Sequence, residues 1–112
     1  IGQVYKELSN QDFKLLDTSI KYLNLAINIY KELEDDYSLT INLINLSDCY
    51  KLEKKDDKAI ELLKLANELS KKLGAKQLIM DTYRNFYKTY ESQLNYKLAF
   101  EYQSLYNMMS DS

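Results

Sequence analysis

The sequence predicts an all-α domain built as a stack of helical hairpins, an α-solenoid. The 112 residues include no Pro and only two Gly, Gly2 and Gly74, too little turn chemistry for a sheet protein. Apolar residues recur at steps of three and four, the period of a helix with one buried face. The chain also repeats itself at an offset of forty: DTSIKYLNLAINIYKELEDD (17–36) and DKAIELLKLANELSKKLGAK (57–76) agree at seven of twenty positions. A period of that size is the signature of stacked supersecondary units, which bury their apolar faces only against neighbouring copies.

Six antiparallel helices are expected, over 1–8, 17–34, 37–53, 57–73, 77–92 and 95–110, in a single domain of about three hairpins: a truncated repeat 1–36, then 37–76 and 77–112. The first helix begins in mid-pattern at Ile1. The second is supported by its matches to the fourth, among them Ile20, Leu23 and Ala26. Glu34-Asp35-Asp36 lacks the spacing and Gly of a calcium loop and reads as a turn with an Asp cap. The third helix carries the stripe Leu39, Leu43, Leu46, Tyr50, and Lys54-Lys55-Asp56 ends it. The fourth carries Ala59, Leu62, Leu63, Ala66, Leu69 and Leu73. Asp57 is its expected cap, Lys71 and Lys72 suit its negative end, and Gly74 supplies a left-handed stop. The fifth carries Ile79, Tyr83, Phe86, Tyr87 and Tyr90, and Gln93-Leu94-Asn95 breaks it from the sixth. There, Leu98, Ala99, Tyr102, Leu105 and Met109 form one stripe while Phe100 and Met108 face elsewhere.

Small residues recur where helices must approach closely. Ser19, Ala59 and Ala99 fall forty apart and fill one slot; Ala26 and Ala66 fill another.

The composition narrows the chemistry. A net charge of −2 with pI near 5.2 and no basic stripe disfavours nucleic acid as a direct partner. No apolar run is long enough to span a membrane, and no signal peptide is visible. The missing initiator Met leads us to expect a segment of a longer protein, whose compartment stays open: cytoplasmic by default, periplasmic if a leader was removed. There is no His, so the commonest acid–base group and metal ligand is missing. One Cys without His argues against a zinc site, and Cys49 is expected to be a half-buried structural thiol. The isolated glycines cannot build a phosphate loop. We therefore expect no cofactor, no metal and no catalysis. Tyr83, Tyr87 and Tyr90 share a helix face, read as core, with an aromatic wall of a binding groove as the alternative.

Leu43, Leu46, Ser47 and Tyr50, followed by Ala59, Leu63 and Ala66, resemble the tetratricopeptide repeat (TPR) family. Tyr83, Phe86, Tyr90, Tyr96 and Ala99 match in part, with departures at Tyr87 and Tyr106, where small residues are usual. Ile1, Gly2 and Tyr5 fit the family's Leu-Gly-x-x-Tyr segment. The fourteen residues from Tyr5 to Ser19, against nine from Tyr50 to Ala59, then imply a loop SNQDFKLLD with about five extra residues. The forty-residue period and the absent Pro resemble the long-helix variant of bacterial signalling proteins.

The resemblance implies a non-catalytic protein–protein interaction scaffold, part of a larger bacterial signal-transduction or regulatory protein. The alternative is a regulatory receptor for a short peptide. It places the partner, protein or peptide, in a concave groove lined by the first helix of each repeat: Asn45 and Asp48, with Arg84, Asn85 and Lys88. Asn side chains there would bond an extended backbone, and Arg84 and Lys88 an acidic group. The bulky Tyr106 and the exposed repeat ends leave a homodimer open.

Overall fold

The structure, a computed structural model, describes residues 10–111. They form five α-helices: α1 Asn10–Glu32, α2 Asp36–Leu52, α3 Asp56–Leu73, α4 Lys76–Ser92 and α5 Tyr96–Ser110. The chain is all-α, with no strand among the described residues. The sixth expected helix, over 1–8, lies outside the described residues, and so does the fit of Ile1, Gly2 and Tyr5.

Two expectations at helix starts are corrected. Residues 10–17 are not a loop: α1 begins at Asn10, so most of the supposed insertion is helix. No Gly or Pro interrupts this stretch, Asp12 lies in the first turn, and Leu16 extends the stripe of Ile20, Leu23, Ile27 and Tyr30 by one more turn. Asp57 is not the cap of α3; Lys55 holds that position without a side-chain bond, and Asp56 and Asp57 both fall in the first turn. The Asp cap of α2 is Asp35, which accepts from the Ser38 N–H at 3.1 Å. Those bonds to Ser38 hold its carboxyl below the usual carboxylate range.

The turns show a regularity finer than the forty-residue repeat. Glu34, Lys54, Gly74 and Leu94, spaced by twenty, all adopt left-handed backbone with φ of 55°, 61°, 63° and 62°. One residue later, the N–H groups of Asp35, Lys55, Ala75 and Asn95 each donate five residues back, to the carbonyls of Tyr30, Tyr50, Ser70 and Tyr90, at 2.8–3.0 Å. These bonds close the orphan carbonyls of each helix end. Only Gly74 advertises the turn in sequence. Leu94 is the one large apolar side chain of the four, held at positive φ and 69% exposed. Leu94→Gly is expected to raise stability by about 0.5–1 kcal/mol; a lowered melting temperature would contradict the strain.

Each helix packs on its neighbours in sequence, and the backbone of α2 also approaches that of α4, whereas the backbones of α1, α3 and α5 do not come close to one another. The described part thus has two layers, α2 and α4 in one and α1, α3 and α5 in the other, 20 Å across its thinnest dimension. One apolar cluster joins Ile27, Leu39, Leu43, Ile44, Leu46, Ala66 and Leu78; a second joins Ile60, Leu63, Phe86, Tyr90 and Ala99. Ala59 and Ala66 are fully buried, and Ala99 nearly so. Ser19, expected in the same slot, is exposed, and Ala26 is half-buried. Among the described residues their helix, α1, has one neighbour where α3 has two.

Five buried hydroxyls also sit in the core: Thr40, Ser47, Ser70, Thr82 and Thr89. Each donates to a carbonyl of its own preceding turn at 2.6–2.9 Å, so small polar side chains enter the core without an unmet bond.

The two departures from the family pattern meet each other. Tyr87 and Tyr106 contact edge to face with centroids 6.0 Å apart. They occupy the repeat equivalents of Ser47 and Ala66, both fully buried. A small pair in one hairpin is therefore replaced by a large pair in the next.

Candidate partner-binding surface

The polar surface of α2 and α4 follows from which faces they bury. Leu39, Leu43 and Leu46 point α2 into the core, so Asn45 and Asp48 on the opposite side are exposed. Ile79, Tyr83, Phe86 and Tyr90 do the same for α4, leaving Arg84 and Lys88 exposed and Asn85 half-buried.

Two residues that sequence reasoning missed tie this surface together. Lys51 of α2 donates across the helix contact to Asn85 Oδ1 at 3.3 Å and lies 3.8 Å from the Asp48 carboxylate. Asp81 of α4 pairs with Arg84 at 3.3 Å and accepts from Gln77 Nε2 at 3.1 Å. The Asn85 amide nitrogen donates to the Asp81 carbonyl at 2.8 Å. The pairs Asp48–Lys51 and Asp81–Arg84 have the i,i+3 spacing of helix-surface neighbours, a signal present in the sequence. The Lys51–Asn85 bond, 34 residues apart, has no such signal.

These contacts change what each side chain can offer. Asn85 has both its oxygen and its nitrogen engaged. Asn45 makes no side-chain hydrogen bond among the described residues, so its donor and acceptor face solvent. Arg84 is partly neutralised by Asp81, while Lys88 has no ion pair among the described residues. Lys51 pairs with Asp48 and Arg84 with Asp81, while Lys88 adds a third cation to this surface. Partial desolvation pushes the Asp48 carboxyl above its ordinary value, outweighing the opposing pull of Lys51 and Arg84. Exposed ion pairs of this kind contribute little to stability.

Cys49 is half-buried, and burial, then Asp48 and Glu53, push its thiol up, so it stays protonated at neutral pH. No cluster of three or more potential metal ligands occurs among the described residues. Tyr83 and Tyr90 are buried, with Tyr102 of α5 packed over them and stacked on Phe86 at 4.4 Å, so they belong to the core. Burial, reinforced by Tyr90, Tyr83 and Glu101, pushes the Tyr102 hydroxyl up. Surface hollows lie elsewhere, among them one of about 560 Å³ at the turn over Lys54–Lys58 and one of about 380 Å³ over Leu46 and Tyr50.

No helix among the described residues is long and apolar enough to cross a membrane. In comparisons with family models, curated proteins and solved structures, none matches this chain.

Proposed function

We propose that the chain is a non-catalytic TPR-like scaffold whose α2–α4 surface binds a protein partner through an extended segment. The observation that carries this reading is the asymmetry of the two layers: the backbones of α2 and α4 approach each other, but those of α1, α3 and α5 do not. The backbone approach of α2 to α4 supports reading these two helices as the inner side of a bent array. Concave surfaces are where such arrays hold their partners. Asn45 supplies open donor and acceptor groups for a peptide backbone, and Lys88 with Arg84 supplies charge for an acidic side chain or terminal carboxylate. A role within a larger bacterial signal-transduction or regulatory protein belongs to the same proposal and rests on the resemblance of the long repeats, the absent Pro and the ending AFEYQSLYNMMSDS.

The experiment is a titration of the ¹⁵N-labelled chain with pools of short acidic peptides. Amide shifts gathered at Asn45, Asp48, Arg84 and Lys88 are the expected result. Arg84→Glu combined with Lys88→Glu is expected to abolish those shifts while leaving the thermal melt of the chain unchanged. Shifts confined to other surfaces, or retained in the double variant, would remove this surface from consideration.

A further inference from the structure

We infer that the hollow between α1 and α3 is a binding site for a free aromatic amino acid, which lays its ring over Leu46 and Tyr50 and sets its two charged groups against Lys58 and Glu61.

The hairpins α2–α3 and α4–α5 differ at one place. In α4–α5 the ring of Tyr102 stacks on Phe86 at 4.4 Å and on Tyr90 at 5.8 Å, with interplanar angles of 19° and 16°. Forty residues earlier, Leu46, Tyr50 and Leu62 hold the places of Phe86, Tyr90 and Tyr102. Two of the three rings have become leucines, and Tyr50 alone remains. A leucine reaches less far than a ring, and the place that Tyr102 fills in one hairpin is open in the other. A hollow of about 380 Å³ lies there, floored by Leu46, Tyr50, Leu62 and Leu65, with Asn24 of α1 across from them. Tyr50 is half-buried, and no aromatic ring lies against it among the described residues. Lys58 Nζ stands over its ring instead, 5.3 Å from the centroid. The second hairpin thus shows what completes such a floor, a flat ring stacked on the Tyr. Offset-stacked rings are a preferred arrangement of aromatic pairs.

The rim decides what else the ligand carries. Lys58 and Glu61 border the hollow, both exposed and neither in an ion pair among the described residues. Their i,i+3 spacing on α3 sets their Cβ atoms about 5–6 Å apart. An open cation and an open anion beside a floor one ring wide call for one ring with a carboxylate and an ammonium next to it. Phenylalanine, tyrosine and tryptophan have all three on adjacent carbons. The carboxylate takes Lys58 off the Tyr50 ring and pairs with it, the ammonium donates to Glu61, and the ring takes the vacated place. In the second hairpin the counterpart of Lys58 is Leu98, which packs in the core cluster beside Tyr102, so there the polar rim is lost along with the opening. Asn45, Asp48, Arg84 and Lys88 do not line this hollow, which makes the site independent of the α2–α4 surface.

The test titrates the ¹⁵N-labelled chain with tryptophan at millimolar concentration. Saturable amide shifts at Tyr50, Lys58, Leu62 and Leu65 are the expected result, and their absence would overturn the proposal. Tryptophan amide and N-acetyltryptophan each lack one charge and are expected to bind about two- to fivefold more weakly, the effect of losing one exposed ion pair. Undiminished binding of N-acetyltryptophan would mean that the site takes the end of a peptide chain, and would overturn the free amino acid. Leucine, binding as tightly as tryptophan, would overturn the ring. Lys58→Gln is expected to weaken tryptophan and leave tryptophan amide unchanged, a pattern that a structural role for Lys58 does not produce. Leu62→Tyr supplies from within the ring that Tyr102 supplies in α4–α5, and is expected to abolish the shifts while the chain stays folded.

Discussion

Phe86→Ala is expected to cost roughly 3–5 kcal/mol of stability, the range for emptying a buried aromatic site. Phe86 is 2% exposed and stands where three helices meet, with Ile60 and Leu63 from α3 and Ala99 from α5. Its ring stacks on Tyr102 at 4.4 Å and lies parallel to Tyr90 at 6.3 Å. Truncation removes the transfer energy, leaves a cavity and unstacks Tyr102, which is α5's main aromatic contact with α4. A domain of this size is stable by about 5–15 kcal/mol, so the loss is a large share of the whole. Differential scanning calorimetry checks it, with Phe86→Leu as the milder control. If alanine lowered the melting temperature no further than leucine does, the stacked cluster would not be holding α5 in place.

Ala66→Leu is expected to cost about 1–3 kcal/mol by the opposite route, overfilling a site that has no room. Ala66 is fully buried in the cluster that joins α1, α2, α3 and α4. Its neighbours Leu43 and Leu46 are themselves buried to within a few per cent, so none can swing into solvent to make space. Ala26→Leu, the same change at the repeat equivalent, is expected to cost much less, because Ala26 is half-buried on a helix with one neighbour among the described residues. Parallel urea titrations of the two variants provide the comparison. Equal losses at the two positions would show that the small residues are there for helix propensity and not for close approach.

Much of this fold was legible because it is written in local rules. The stripe Leu39-Leu43-Leu46, the stop at Gly74 and the aromatic face of α4 each depend on residues within one helix, and each reads correctly from spacing alone. The start of α1 did not, because alignment to the shorter helix 57–73 assigned Phe13-Lys14-Leu15-Leu16 to a loop, although nothing in those residues breaks a helix. The twenty-residue turn rhythm was missed for a related reason. Glu34, Lys54 and Leu94 take a left-handed backbone that their side chains do not favour, so the closing hydrogen bonds impose what the residue type does not announce.

The candidate surface divides in the same way. That Asn45, Asp48, Arg84 and Lys88 face away from the apolar stripes is a property of helical periodicity, and the sequence alone determined it. That Lys51 reaches Asn85, that Asp81 occupies Arg84, and that Tyr87 meets Tyr106 was decided only in the tertiary structure. Such pairings depend on the distance and rotation between two helices. Those are set by how Phe86, Leu63 and the buried alanines pack, a sum over many contacts that no single stretch of sequence contains.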